Sequence, residues 1–288
     1  GFSNLQEIVM PNIPCLPSGT FEGCANLKHV DISNYNQSIG ENTFKNCVSL
    51  ESVDMYNVTS IGNGAFENCK KMTKFLNGYV KDFDFDILRG CTDLQIISLN
   101  AVEEFPVDET GRLYIEGVDN LLAFRADSLI EIPDHFLENY TELNDVSFNS
   151  AITVGDYAFY GTSICSSYGF NKVKEIGDYA FYGTKTNKLE KDGYKYLEKI
   201  GDYAFAHCNG KLTSLHLPDS IKQLGTGVFY NCSMLKSITL GNGITHIPDL
   251  FLSQCSHLEN MILPAGITSI GQEAFSYCSL PEHFYLPH

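Results

Sequence analysis

Ten cysteines and eight histidines are the side chains with which this 288-residue chain could ligate a metal, pair a nucleophile with a base or cross-link itself. A zinc site needs thiols paired as C-x-x-C or joined to histidines at short fixed spacing, and no such cluster occurs. Eight cysteines instead occupy one periodic slot: Cys24, Cys47, Cys69 and Cys91, then Cys208, Cys232, Cys255 and Cys278. Neighbouring strands about 4.8 Å apart would bring such residues within bridging range, so a disulfide reading stays open. The slot holds Tyr140, Thr162 and Thr184 elsewhere, which favours a small, weakly hydrogen-bonding inward group, and free buried thiols are expected. Buried thiols persist in either redox environment, so the cysteines do not report a compartment. Cys165 falls on a leucine slot, and Cys15 lies outside the pattern.

The histidines (His29, His135, His207, His216, His246, His257, His283 and His288) form no recognisable pair with a nucleophile or ligand. No G-x-S-x-G elbow, phosphate-cradling glycine loop or H-E-x-x-H is present. Carboxylate pairs could be chosen from almost any acidic surface and assign nothing. The expectation is a protein without catalytic residues, metal or cofactor. Four N-x-S/T sequons, at Asn36, Asn57, Asn139 and Asn231, matter only if the source glycosylates secreted proteins.

The 35 acidic and 19 basic residues give a formal charge of −16, and no basic run exceeds Lys70–Lys71, which argues against nucleic acid as a partner. The acids are dispersed, as suits solubility. No apolar stretch approaches the roughly 18 residues of a membrane span. The opening GFSNLQEIVM has neither a charged nor an apolar leader region and reads as a trimmed start.

What positions these side chains is a repeat. GDYAFYGT stands at 155–162 and again at 177–184, with GDYAFAHC at 201–208. Aligned with the rest, the template is L-x-x-I-x-L, a turn, then I-x-x-I-G-x-x-A-F-x-x-C. The Phe slot holds Phe21, Phe44, Phe66, Leu88, Leu137, Phe159, Phe181, Phe205, Phe229, Leu252 and Phe275, at gaps of 22 to 24 residues except for one of 49. Five residues before each lies an apolar partner, from Leu16, Ile39 and Ile61 to Ile270. Period-two pieces such as VDI, VDM and ITL read as short strands recurring as parallel neighbours, with the remainder of each unit as the return path.

These residues resemble the BspA-like leucine-rich repeats, through I-G-x-x-A-F-x-x-C-x-x-L and the spacing near 23, over roughly residues 5–286. The pattern predicts an α/β-type repeat solenoid: a right-handed leucine-rich repeat coil with a parallel β-sheet on its concave face and short turns or helical segments on its convex face. A single domain of about 12 repeats over 1–288 is expected, irregular at about 100–131, where GRLYIEGVDNLLAF reads as a β-hairpin replacing a return path. The repeat around LEKDGY at 189–194 is expected to be distorted by Asp192.

The outward strand positions would tile a continuous face, and His29, Asp31, Asp54, Asp145, His216 and Asn260 are the candidate partner-binding residues on it. Tyr157, Tyr179 and Tyr203, and Tyr160 with Tyr182, share slots and should stack into columns on the outer wall. The resemblance implies a cell-surface or extracellular location and adhesion or host interaction through a protein or glycan partner. A rigid spacer presenting another domain, a glycan-cutting enzyme and an intracellular scaffold are the rival readings.

Overall fold

The computed structural model describes residues 2–279 except 3, 12, 34–37, 108, 110–111, 114, 166–168, 187–192 and 211. Two compact units emerge, Gly1–Asp108 with Leu113–Leu129, and Glu109–Arg112 with Ile130–His288. The first carries β1 (Glu7–Val9), β2 (Cys15–Leu16), β3 (His29–Asp31), β4 (Ser38–Ile39), β5 (Ser52–Asp54), β6 (Ser60–Ile61), β7 (Lys74–Asn77), β8 (Ile96–Leu99) and β9 (Ala123–Arg125). The second carries β10 (Glu131–Ile132), β11 (Asp145–Ser147), β12 (Thr153–Val154), β13 (Glu175–Ile176), β14 (Lys199–Ile200), β15 (Ser214–His216), β16 (Gln223–Leu224), β17 (Ser237–Thr239), β18 (His246–Ile247), β19 (Asn260–Ile262) and β20 (Ser269–Ile270).

The expected strands form parallel ladders of the longer segments: β1-β3-β5 and β7-β8-β9 in the first unit, β15-β17-β19 in the second. Alternation fixes their faces, because successive side chains point to opposite sides. Val30 is buried between half-exposed His29 and Asp31, and Ile238 between half-exposed Ser237 and Thr239. A second parallel ladder was not foreseen. The two residues before the template glycine, or before the proline that replaces it at 17, 133 and 248, pair from rung to rung as β2-β4-β6 and as β10-β12-β13-β14-β16, with β18 pairing β20.

Between the ladders runs the return path. It lacks the helical segments expected of it: among the described residues the only helix is one 3-10 turn, Phe85–Leu88. The reason is a pair of left-handed residues four apart in most rungs, such as Asn42 and Asn46 (φ 54° and 62°), Tyr157 and Gly161 (56° and 69°) and His207 with Tyr203 (58° and 51°). Only three residues separate them, too few for an α-helix to nucleate and propagate. The 3-10 turn occurs in the rung whose first such slot, Asp86, keeps an ordinary negative φ.

The core lies between the ladders and the return path. Phe21, Phe44 and Phe66 form one file, with centroids 5.5 and 5.2 Å apart; Phe159, Phe181, Phe205 and Phe229 form another at 5.2, 5.2 and 5.7 Å. All are 3 % exposed or less, and each such burial contributes about 1.5–3 kcal/mol.

The 49-residue gap contains a hidden rung. Ile115, 1 % exposed, fills the Phe slot, leaving gaps of 27 residues from Leu88 and 22 to Leu137. The Gly90 amide donates to Glu116 O at 2.7 Å, as the Asn68 amide donates to Arg89 O at 2.8 Å one rung earlier. Gly111 and Tyr114, in the first arm of the expected hairpin, lie outside the described residues. Its second arm runs into β9, which pairs in parallel with β8. The distortion expected at Asp192 also falls outside the described residues.

The repeated GD of GDYAFYGT is a staple between rungs. The amides of Asp156, Asp178, Asp202 and Thr226 each donate to Oδ1 of the aspartate one rung before (Asp134, Asp156, Asp178 and Asp202), all at 2.7 Å. The glycine preceding each donor makes the approach possible: a Cβ on Gly177 would sit 2.4 Å from Asp156 Oδ1.

Candidate partner-binding face

The outward side chains of the longer strands form columns fixed by register. In β1-β3-β5 one column is Glu7, His29 and Ser52, and the next is Val9, Asp31 and Asp54. His29 is the hub of the first cluster. Its Nδ1 shares a hydrogen bond with Ser52 Oγ at 2.8 Å, and its Nε2 lies 3.6 Å from Asp54 Oδ2. Asp31 and Asp54 are direct neighbours across the strands, an arrangement that like charges disfavour. Each has a local compensation. The Ser33 hydroxyl and amide donate to Asp31 Oδ1 at 2.6 and 3.0 Å, which holds the Asp31 carboxyl below the ordinary carboxylate range, while Asp54 faces the His29 ring. Four of the residues around this point are thus polar, accessible to solvent and not required by the core.

The other candidates lie in the second unit. His216 ends β15 in a column with Thr239 and Ile262, whereas Asn260 begins β19 in a column with Ser214 and Ser237. They share a sheet but not a cluster. Asp145 stands half-exposed at the start of β11. His29, Asp31 and Asp54 are therefore brought together, joined by Ser52, and the rest are not. Exposed apolar groups punctuate the same outward positions, with Leu76 44 % and Ile262 62 % exposed.

On the return path of the second unit the tyrosines stack as expected. Tyr157 and Tyr179 lie 4.9 Å apart at 7°, Tyr179 and Tyr203 5.2 Å apart at 19°, and Tyr160 and Tyr182 4.9 Å apart at 7°. His135 extends the column, 4.9 Å from Tyr157 at 4°. Ring faces spent on one another leave edges and hydroxyls to solvent. Partial burial, reinforced by Asp156, Asp178 and Asp202, raises the phenol pKa of Tyr157, Tyr179 and Tyr203.

The cysteine slot proves to be a column of donors. Sγ of Cys47, Cys69 and Cys91 donates to the carbonyl of Phe21, Phe44 and Phe66 at 3.1, 3.2 and 3.2 Å; Cys232 and Cys255 repeat the pattern on Phe205 and Phe229 at 3.1 and 3.2 Å. Burial pushes the Cys47, Cys91 and Cys255 thiols up to about 12, so they remain protonated donors at neutral pH. All ten cysteines are free. Among the described residues no group of three or more His, Cys, Asp or Glu side chains is placed to hold a metal, and no helix is long and apolar enough to cross a membrane.

A family model, the BspA type leucine rich repeat region (6 copies), matches residues 1–106, 89–190 and 174–288. No curated protein matches the chain. Among solved structures, a leucine-rich repeat protein from Bacteroides ovatus is 24 % identical over 96 % of this chain, which spans 66 % of that protein's length, with a TM-score of 0.47. A leucine rich cell surface protein from Faecalibacterium prausnitzii is 22 % identical over 95 % of this chain and 79 % of its own length, with a TM-score of 0.37. The T. pallidum leucine rich repeat protein is 19 % identical over 97 % and 79 %, with a TM-score of 0.31. At these identities and TM-scores the likenesses bear no functional argument.

Proposed function

As this chain belongs to the BspA-type leucine-rich repeat family, we propose that it is a non-catalytic recognition module that binds a protein or glycan partner through the outward face of its longer strands. A cell-surface location and a role in adhesion or host interaction follow as part of the same reading. The observation that carries it is the His29, Ser52, Asp31 and Asp54 cluster. The repeat needs only Val30 and Val53 inward at these strands, yet two carboxylates stand opposite one another beside an exposed imidazole. A like-charge pair retained at a small cost to sheet stability is what a surface complementary to a partner's donors requires. His29 is held between a serine hydroxyl on one nitrogen and a carboxylate on the other side, so the cluster presents a hydroxyl, an imidazole and two carboxylates together as hydrogen-bonding groups for a partner. Ser52 and Asp54 lie two residues apart on one strand, so both project from the same outward face beside His29.

Binding to immobilised extracellular-matrix proteins and to a glycan array tests the reading. Reversing charge in D31K/D54K is expected to weaken any saturable binding about tenfold, mainly through association rate and salt dependence. Separate reversal at Asp145 reports on the second unit. Unchanged affinity in all three substitutions would remove the face from consideration.

A further inference from the structure

The second ladder of the first unit stops at β6. The Gly40 amide donates to Leu16 O and the Gly62 amide to Ile39 O, both at 2.8 Å. The next bond of the series, from the Asp84 amide to Ile61 O, is not made among the described residues. Residues 81–84 form no strand beside β6, and with residues 103–106 they line a cleft of about 740 Å3, within the size range of ligand clefts. Its apolar lining comes from Ile61, Phe83 and Phe105, which remain 8, 5 and 7 % exposed. Asp82, Asp84, Glu103 and Glu104 add four carboxylates, and Lys81 is the single basic residue in the lining.

An unpaired strand edge is a template for another chain, and alternate side chains of an added strand give it specificity. The charge of the surroundings selects that chain. An acidic segment would meet four carboxylates, whereas an apolar one would desolvate them without compensation. We propose that the break in the ladder is a docking site for an extended, basic segment of a partner polypeptide. Its main chain lies along β6 with an N–H donated to Ile61 O, and an arginine or lysine side chain reaches the carboxylates over the Phe83 and Phe105 rings. This site is separate from the strand face proposed above, and either can fail without the other.

The test uses the 15N-labelled chain and the peptide acetyl-Arg-Val-Arg-Val-Arg-amide, followed by amide chemical shifts at low salt. Shifts confined to residues 60–63, 81–84 and 103–105 are expected, and acetyl-Glu-Val-Glu-Val-Glu-amide should produce none. In D82N/E103Q/E104Q, whose side chains are exposed, affinity for the basic peptide should fall at least about tenfold. D156N/D178N/D202N removes equal charge elsewhere while preserving each Oδ1 acceptor, and should bind within about twofold of the parent. N-methylation of the peptide's central arginine or its neighbours should weaken binding if main-chain pairing contributes. The proposal is overturned if no shifts appear at about 1 mM peptide, if both triple variants lose affinity equally, or if N-methylated peptides bind like the parent.

Discussion

Tyr179 occupies a backbone conformation, φ 54°, that costs an L-residue about 1–2 kcal/mol. It is retained because its ring stacks on Tyr157 and Tyr203, contacts worth about 0.5–1.5 kcal/mol each beyond burial. The two contributions can be separated. Y179A forfeits both stacks and leaves a Cβ in the left-handed region, whereas Y179G forfeits the stacks but relieves the backbone. Y179G should therefore be the more stable variant by about 1 kcal/mol in urea denaturation, the reverse of the order in a helix. Equal or inverted stabilities would show that left-handed strain does not govern this position. The same logic separates the residues whose role was legible from those whose role was not. Tyr157 and Tyr179 share a slot in plain sequence, so their stacking could be anticipated. That the slot is left-handed could not, since tyrosine is a poor signal for positive φ. The His29, Ser52 and Asp54 cluster depends on strand register, which no single strand reveals.

At the level of the ladders, the thiol column makes a prediction with a definite sign. An unfolded thiol titrates near 9.0, whereas Cys47 and Cys91 are held up to about 12 by burial. The folded state consequently keeps protons that the unfolded state releases. This contribution is complete below pH 9 and is lost as pH rises toward 12, at about 1.4 kcal/mol per pH unit for each thiol. Urea unfolding at about pH 8 and pH 10.5 should show the loss, and C47A/C91A should show a shallower one. Tyrosines with raised pKa values act in the same direction, so the double variant isolates the cysteines. The Phe and Ile files were legible because burial recurs at constant spacing. The second ladder was missed because strands of two residues are too short to show alternation, and the hidden rung because extra residues after Leu99 displaced Ile115 from its place. The cleft was invisible for a different reason: it arises from a hydrogen bond that the repeat leaves out.

Across the chain, 35 acidic residues face 19 basic ones, and the staple aspartates Asp134, Asp156, Asp178 and Asp202 stack like charges in one file. Raising NaCl from about 10 to 300 mM should raise the melting temperature, because screening relieves repulsion between exposed carboxylates. The exposed pairs Lys71–Asp93 and Lys222–Glu198 lose little in return, because solvent already screens them. A melting temperature that falls with salt would mean that ion pairs outweigh repulsion.

Because each staple joins only adjacent rungs, excising residues 155–176 would fuse Val154 to Gly177 and leave GDYAFYGT intact, with Asp134 meeting the Asp178 amide in place of that of Asp156. Recombination between the two copies can thus shorten or lengthen the coil by 22 residues without leaving a scar, so that reach becomes a heritable variable decoupled from the chemistry of the surface.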